Sequence, residues 1–378
     1  MNRSAGTDRI DLIQALRGIA ALAVVLFHAR IWIDGPDFNH AGRLFKNGAA
    51  GVDLFFIVSG FIMVHSTWDV RGGGHDAIRF FAKRAARIWP VYVVTTILYV
   101  AATGTLLAWF TTEAGLIGMG KALVFYPINP TAPPFFDSTP NEVGWTLNYE
   151  MWFYVLFAVS LVFGKRRWLA LAALFVVFLV AIPLVFGSRP PSLDAYTFYG
   201  MSCGLLNLAA SPLVWEFLAG VGIGLLYRSE IRIRPVWLVG ALAMASVALV
   251  LLQQHSRVLS HHGLVGWGAA LILMVLLLMM WNRESSFRVP RWLTWLGDVS
   301  FSLYLVHRIP QLALGRIIPP GQATLVGGII FIVVTTALAL VLAQLSYRYL
   351  ERGLAESVRR WITRRLPSRS SERSTPRA

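Results

Sequence analysis

The 378-residue chain reads as an all-α integral membrane protein of about ten transmembrane helices, with both termini cytoplasmic. Three features predict this. Apolar residues make up 56% of the chain and charged residues only 14%, against about 25% charged in soluble domains. The apolar residues gather into ten stretches, each near the roughly 20 residues that a helix needs to cross a bilayer. The basic residues sort to alternate connections between those stretches. A soluble protein of this make-up lacks the polar surface to cover itself, and a mean hydropathy of +0.60 excludes a disordered chain. A single cysteine excludes a disulfide scaffold.

The spans are expected near 11–30, 49–68, 89–109, 142–163, 168–187, 208–227, 235–252, 264–281, 293–314 and 323–346. With the N-terminus inside, 26 of the 34 basic residues fall on one side. They comprise Arg3, Arg9 and Arg17, the group from Arg71 to Arg87, the groups at 165–167, 228–234 and 283–291, and the arginines from Arg348 onward. Lys and Arg are retained on the cytoplasmic side of short loops. The net charge of +15 is therefore topology, and no nucleic-acid partner is expected. The first span carries Arg17 and lacks a small-residue cleavage site, so it reads as a span and not as a cleaved signal.

Residues 1–349 form the expected membrane domain and 350–378 a basic cytoplasmic tail. Leu350, Leu354, Val358 and Trp361 recur there at helical spacing, which suits an amphipathic helix on the inner membrane surface or a plain positive stop after the last span. Residues 366–378 read as disordered. Loop 110–141 is rich in Pro and aromatics; it caps an entrance, lies on the membrane, or simply connects. Gly220, Gly222 and Gly224 sit in an apolar span with no strand before them, so close helix packing explains them better than dinucleotide binding. His255, His261 and His262 share an outer loop and read as solvated. Cys203 stands alone in another.

Ionisable groups inside a bilayer are expensive, and each is a functional candidate. Arg17 and His28 are eleven residues apart in the first span. At about 100° per residue this puts them on one face, about 16 Å apart along the axis. Arg17 either snorkels to the inner headgroups or faces the interior. His28 lies in the outer third, as does Asp53, which also suits the dipole at its helix start. Glu150, in the segment Trp145-Thr146-Leu147-Asn148-Tyr149-Glu150, lies about 10–15 Å below the outer surface. Asp298 sits at the inner end of the ninth span and His307 in its outer third. His28, Asp53, Glu150 and His307 thus converge on one depth, while Arg17, Arg84 and Arg87 mark the inner end. A His beside a carboxylate suits general-base work, and a cationic mouth suits a phosphate-rich donor.

The segments IQALRGIAALAVVLFH (13–28), GVDLFFIVSGFIM (51–63), FAKRAARIWPVY (81–92), GWTLNYEMWFY (144–154) and LGDVSFSLYLVH (296–307) resemble the membrane-bound acyltransferase-3 family, especially its exopolysaccharide-modifying acetyltransferases of the succinoglycan type. The family's Arg-ten residues-His element matches Arg17 and His28, its basic pair matches Arg84 and Arg87, and its fourth-span glutamate matches Glu150. The resemblance implies a ten-helix core, a cytosolic acyl-CoA donor and an extracytoplasmic sugar hydroxyl as acceptor. Many relatives carry a further hydrolase-like domain that these residues do not include, so acceptor selectivity is expected from the membrane core and its outer loops.

The expected protein is a multi-pass O-acyltransferase of the inner (plasma) membrane, acetyl being the favoured acyl group. Acyl-CoA is its co-substrate, and a polysaccharide or lipid-linked oligosaccharide its acceptor. His28 and Glu150 are the expected catalytic residues, and Arg17, Arg84 and Arg87 bind acyl-CoA. Asp53, Trp145, Tyr149, Tyr304 and His307 support the site or the acceptor. No metal or bound cofactor is expected. The alternative readings are a transporter or flippase for a sugar or acyl-bearing solute, and a non-enzymatic subunit of a polysaccharide assembly. Against the transporter stands the lack of repeat symmetry and of paired broken helices.

Overall fold

The computed structural model describes residues 9–33, 41–136, 139–256, 259–321 and 324–365. The tail segment 366–378, expected to be disordered, lies outside them. All secondary structure among the described residues is helical. Helices occupy all ten expected stretches: α1 (Asp11–Ala29), α2 (Gly51–Thr67), α3 (Gly74–Ala102), α4 (Trp145–Val162), α5 (Gly164–Phe186), α6 (Trp215–Arg228), α7 (Val236–His255), α8 (Leu264–Glu284), a broken α9 (Arg291–Asp298, Ser300–Val306 and Arg308–Gly315) and α10 (Leu325–Arg365).

Seven of these are long and apolar enough to cross a bilayer: the runs containing α1, α2, α3, α5, α7, α8 and α10. The other three fall short for visible reasons. α4 begins with Asn148 and Glu150 in its first two turns, α6 has 14 residues, and α9 is interrupted at Val299 and His307. Pro310 explains the second interruption, because it lacks the N–H that would bond the carbonyl of Val306. The protein is thus an all-helical multi-pass membrane protein.

Two crossings set the framework. Gly220 of α6 and Gly60 of α2 let the two backbones touch: a Cβ on Gly220 would lie 1.9 Å from Ile57 O, and one on Gly60 would lie 2.1 Å from Phe217 O. Gly220 and Gly224 pack against α2, as small residues in membrane helices generally do, whereas Gly222 faces open space. At the second crossing, a Cβ on Gly297 would lie 2.1 Å from Gln14 O. This binds α1 to the start of α9 and brings Arg9 to within 3.0 Å of Asp298.

Two sequence readings need correction. α3 begins at Gly74 and not near 89, so Arg84 and Arg87 lie within a helix, one turn apart, and not in a loop. The tail is helical over 350–365, but it does not lie apart on the membrane: α10 runs on unbroken to Arg365, widening over Tyr347–Ala355, and packs against α3. Leu350 joins the core and Ala355 is buried, because an apolar stripe with a neighbouring helix in reach gains more from packing than from an interface. Loop 110–141 contributes helix Glu113–Leu123 and places the buried rings of Phe125 and Phe136 against the core of α3 and α4.

Candidate active site

α1, α2, α3, α4 and α9 surround two connected spaces. The wider is an open vestibule at one end of the bundle. Basic residues Arg17, Arg79, Lys83, Arg84, Arg87, Arg352 and Arg359 line it, with Asp76, Asp298, Glu351 and Glu356 as partial counter-charges. The narrower is walled by Val52, Phe55, Phe56, Ser59, Ile62, Met63, Thr146, Glu150, Tyr154 and Tyr304. Arg17, Arg84 and Arg87 line both, so they stand at the junction. These are the three residues that the sequence reading grouped at the inner end.

At the junction Arg17 Nη1 donates to Gln14 Oε1 at 3.2 Å and Arg84 Nη2 to Ser66 Oγ at 3.1 Å. The Arg84 guanidinium also lies over the rings of Phe80 and Tyr154, 5.5 and 5.6 Å from their centroids. Arg87 makes no hydrogen bond or ion pair among the described residues. Three guanidiniums with Glu150 on the cavity side and Glu351 on the vestibule side leave an excess of positive charge in a partly desolvated place. Such an arrangement is stable only with an anion to hand.

The expected convergence of His28, Asp53, Glu150 and His307 resolves into three separate groups. Glu150 accepts hydrogen bonds from Tyr154 Oη and, at 3.5 Å, from Ser59 Oγ; it faces the arginines and does not touch His28. Asp53 is fully buried beside Glu216 on α6. Its Oδ2 lies 2.7 Å from His262 Nδ1, and its Oδ1 accepts from Gly263 N at 2.8 Å. His262 is therefore a buried residue, 4% exposed, and not the solvated loop residue the sequence suggested. Burial of Asp53 among helix ends demands a donor, which the histidine loop supplies. Tyr149 Oη bonds Pro134 O and Ser211 Oγ, and Trp145 packs edge-on to His262, so both brace the loops and stand away from the cavity lining.

His28 and His307 do come together, with His307 Nε2 3.2 Å from His28 Nδ1. His307 Nδ1 lies 2.8 Å from Tyr304 O and so carries the proton, which leaves its Nε2 as acceptor. His28 Nδ1 is 3.0 Å from Val24 O and must also carry its proton. By this assignment His28 Nε2 keeps a free lone pair, 3.8 Å from the carboxylate of Glu142. Glu142 in turn is held by Arg308 Nε and, at 3.1 Å, by Tyr99 Oη. Arg308 also bonds Gln311, whose amide donates to Val25 O beside His28. The sequence reading missed Glu142 and Arg308. Both lie at the same end of their helices as His28, a signal that was present but overshadowed by Glu150.

The cavity does not run open to His28, because the Phe55 and Tyr304 rings, 5.8 Å apart, close its far end. Tyr304 is pinned there by Thr146 Oγ1 at 3.0 Å and Val143 O at 3.1 Å. Beyond it the His307 ring lies 6.2 Å away, and the His28 ring 5.1 Å further on.

The acyltransferase domain model matches residues 10–344 of the chain. The chain belongs to this acyltransferase family. The acyltransferase is similar along its length to the exopolysaccharide production protein ExoZ of Rhizobium meliloti (strain 1021), 29% identical over 92% of this chain and all of the relative. It is also 29% identical to Nodulation protein 10 of Rhizobium leguminosarum bv. viciae, over 54% of this chain and 57% of that one. Its identity to the acyltransferase MdmB of Streptomyces mycarofaciens is 27%, over 63% and 62%. No solved structure matches the acyltransferase.

Proposed function

We propose that this acyltransferase is a multi-pass enzyme of the inner membrane that carries an acyl group, acetyl in the first instance, from cytosolic acyl-CoA to a sugar hydroxyl of a polysaccharide on the far side. The observation that carries this reading is the shared position of Arg17, Arg84 and Arg87 between a wide cationic vestibule and a narrow apolar cavity. CoA has the same two-part character, a phosphorylated nucleotide at one end and a slim thioester arm at the other. Its phosphates match the vestibule, and Arg84 and Arg87 bind the group nearest the arm. The vestibule faces the cytoplasm by the placement of basic residues in the sequence. The similarity to a protein of exopolysaccharide production supports the acceptor class.

In this reading His28 Nε2 takes the proton of the sugar hydroxyl as its oxygen attacks the thioester carbonyl. The C–S bond then breaks, and the imidazolium returns the proton to the departing CoA thiolate. Glu142, near the same Nε2, stabilises the imidazolium by its charge. Glu150 acts elsewhere, as the counter-charge that keeps Arg17 and Arg84 aimed at the cavity. The Phe55 and Tyr304 rings swing aside to let the thioester reach His28.

The test is transfer of labelled acetyl from acetyl-CoA to polysaccharide by the protein in lipid nanodiscs. Label in the polymer, lost in His28→Ala and in Arg87→Ala, is the expected result. Full labelling by a folded His28→Ala protein rejects the mechanism, and polymer transfer from a donor other than acyl-CoA rejects the donor.

A further inference from the structure

Away from the His28 network, the end of the bundle opposite the vestibule holds a second cluster of polar and aromatic groups. Asp53 stands in the first turn of α2, whose other end, at Ser66 and Thr67, lines the vestibule; thirteen residues of helix separate the two by about 20 Å. The His262 imidazole is fixed by Asp53 through Nδ1, and its Nε2 has no hydrogen-bond partner among the described residues. Glu216 is buried against Asp53 on the inner side. On the outer side, Phe135 and Trp145 meet the His262 ring edge-on, each with centroids 5.8 Å away. Tyr196 adjoins Phe135 at 6.3 Å. Phe135 and Tyr196 are each 41% exposed, so ring surface stays open to a ligand.

We infer that His262, with the open rings of Phe135 and Tyr196, forms a binding subsite for a neutral hexose ring of the acceptor glycan. The apolar C–H face of a pyranose lies on aromatic rings, and one of its hydroxyls donates to His262 Nε2. A histidine locked by a buried carboxylate presents a fixed acceptor, and a fixed polar group beside apolar walls is the usual make-up of a small-molecule site. The charge selects the ligand. The Asp53 carboxylate behind the imidazole disfavours a phosphate or an anionic headgroup, whereas the vestibule attracts one. Rings that only anchor the protein in the membrane interface have no use for an aspartate-oriented imidazole beneath them. The assignment of this sugar as acceptor rests on the acyl-transfer reading; the binding itself does not.

Saturation-transfer NMR on the full chain in nanodiscs, with no acyl donor present, tests the binding. The probes are hexasaccharides of glucose, galactose and N-acetylglucosamine. At least one is expected to bind, and Phe135→Ala, Tyr196→Ala and His262→Gln are each expected to weaken it about tenfold while acetyl-CoA binding stays unchanged as the control for folding. The two ring positions are partly exposed, so their truncation leaves the core intact even if His262→Gln unfolds the loop. Binding of none of the three sugars by the unsubstituted protein overturns the inference, as does binding that both ring variants retain in full. Absence of acetyl transfer in an unsubstituted protein that binds sugar at these residues counts instead against the proposed function.

Discussion

His307 reaches His28 with Nε2 3.2 Å from Nδ1, and the backbone carbonyls of Val24 and Tyr304 dictate which nitrogen of each ring holds the proton. The pair leaves one free lone pair, on His28 Nε2. His28→Ala is expected to lower transfer about 100- to 10,000-fold, the range of a lost general base. His307→Gln retains a side-chain acceptor and is expected to lower kcat about tenfold with little change in the donor KM. Steady-state acetyl transfer measures both, and equal losses would remove the distinction between base and positioning residue.

Arg87 has no partner of its own among the described residues and lines both spaces. A charge-assisted hydrogen bond contributes about 1.5–3 kcal/mol, so Arg87→Ala is expected to weaken acetyl-CoA binding by about 10- to 150-fold. The loss should shrink in high salt, where the vestibule charge is screened. Calorimetric titration at two salt concentrations reads both effects.

Glu142→Gln leaves Arg308 partly buried without its carboxylate. Removing one partner of such a pair costs about 3–5 kcal/mol when it is buried, and less here because Glu142 is a third exposed. Lower thermal stability and lower kcat are both expected. By contrast, Glu150→Gln should act on donor binding, since Glu150 faces the arginines; a kcat effect with unchanged donor affinity would restore it to the chemistry.

Tyr304 closes the cavity through hydrogen bonds to Val143 and Thr146. Tyr304→Ala removes the closing ring and is expected to raise hydrolysis of acetyl-CoA in the absence of acceptor severalfold, because water then reaches the thioester. Tyr304→Phe keeps the ring and should stay near the unsubstituted rate. Thiol release monitored without polysaccharide separates the two.

Gly220→Val places side-chain carbons where Ile57 O already stands. Overpacking of this kind costs about 1–3 kcal/mol or more, so a lower melting temperature and poor expression are expected. Gly222→Val, with open space at its Cβ, is the matched control.

The sequence by itself determined the class of this protein and its ten helical stretches. An excess of apolar residues in runs of fixed length has one solution in water and lipid, and a span must satisfy its backbone internally. It also grouped Arg17, Arg84 and Arg87 at one end of the bundle, while their place between two spaces came from the tertiary structure. Which carboxylate serves which cation or ring was decided only by tertiary structure. Glu142 and Asp53 stand near the outer ends of their helices and Glu150 about 12 Å deeper than Glu142, and depth is all that a linear count along a helix supplies. The azimuth of each helix is set by side-chain packing and by glycine crossings such as Gly60 with Gly220. The crossing of α2 and α6 places Asp53 against Glu216, and the packing of α4 on α3 goes with Glu150 facing the arginines while Glu142 lies near His28.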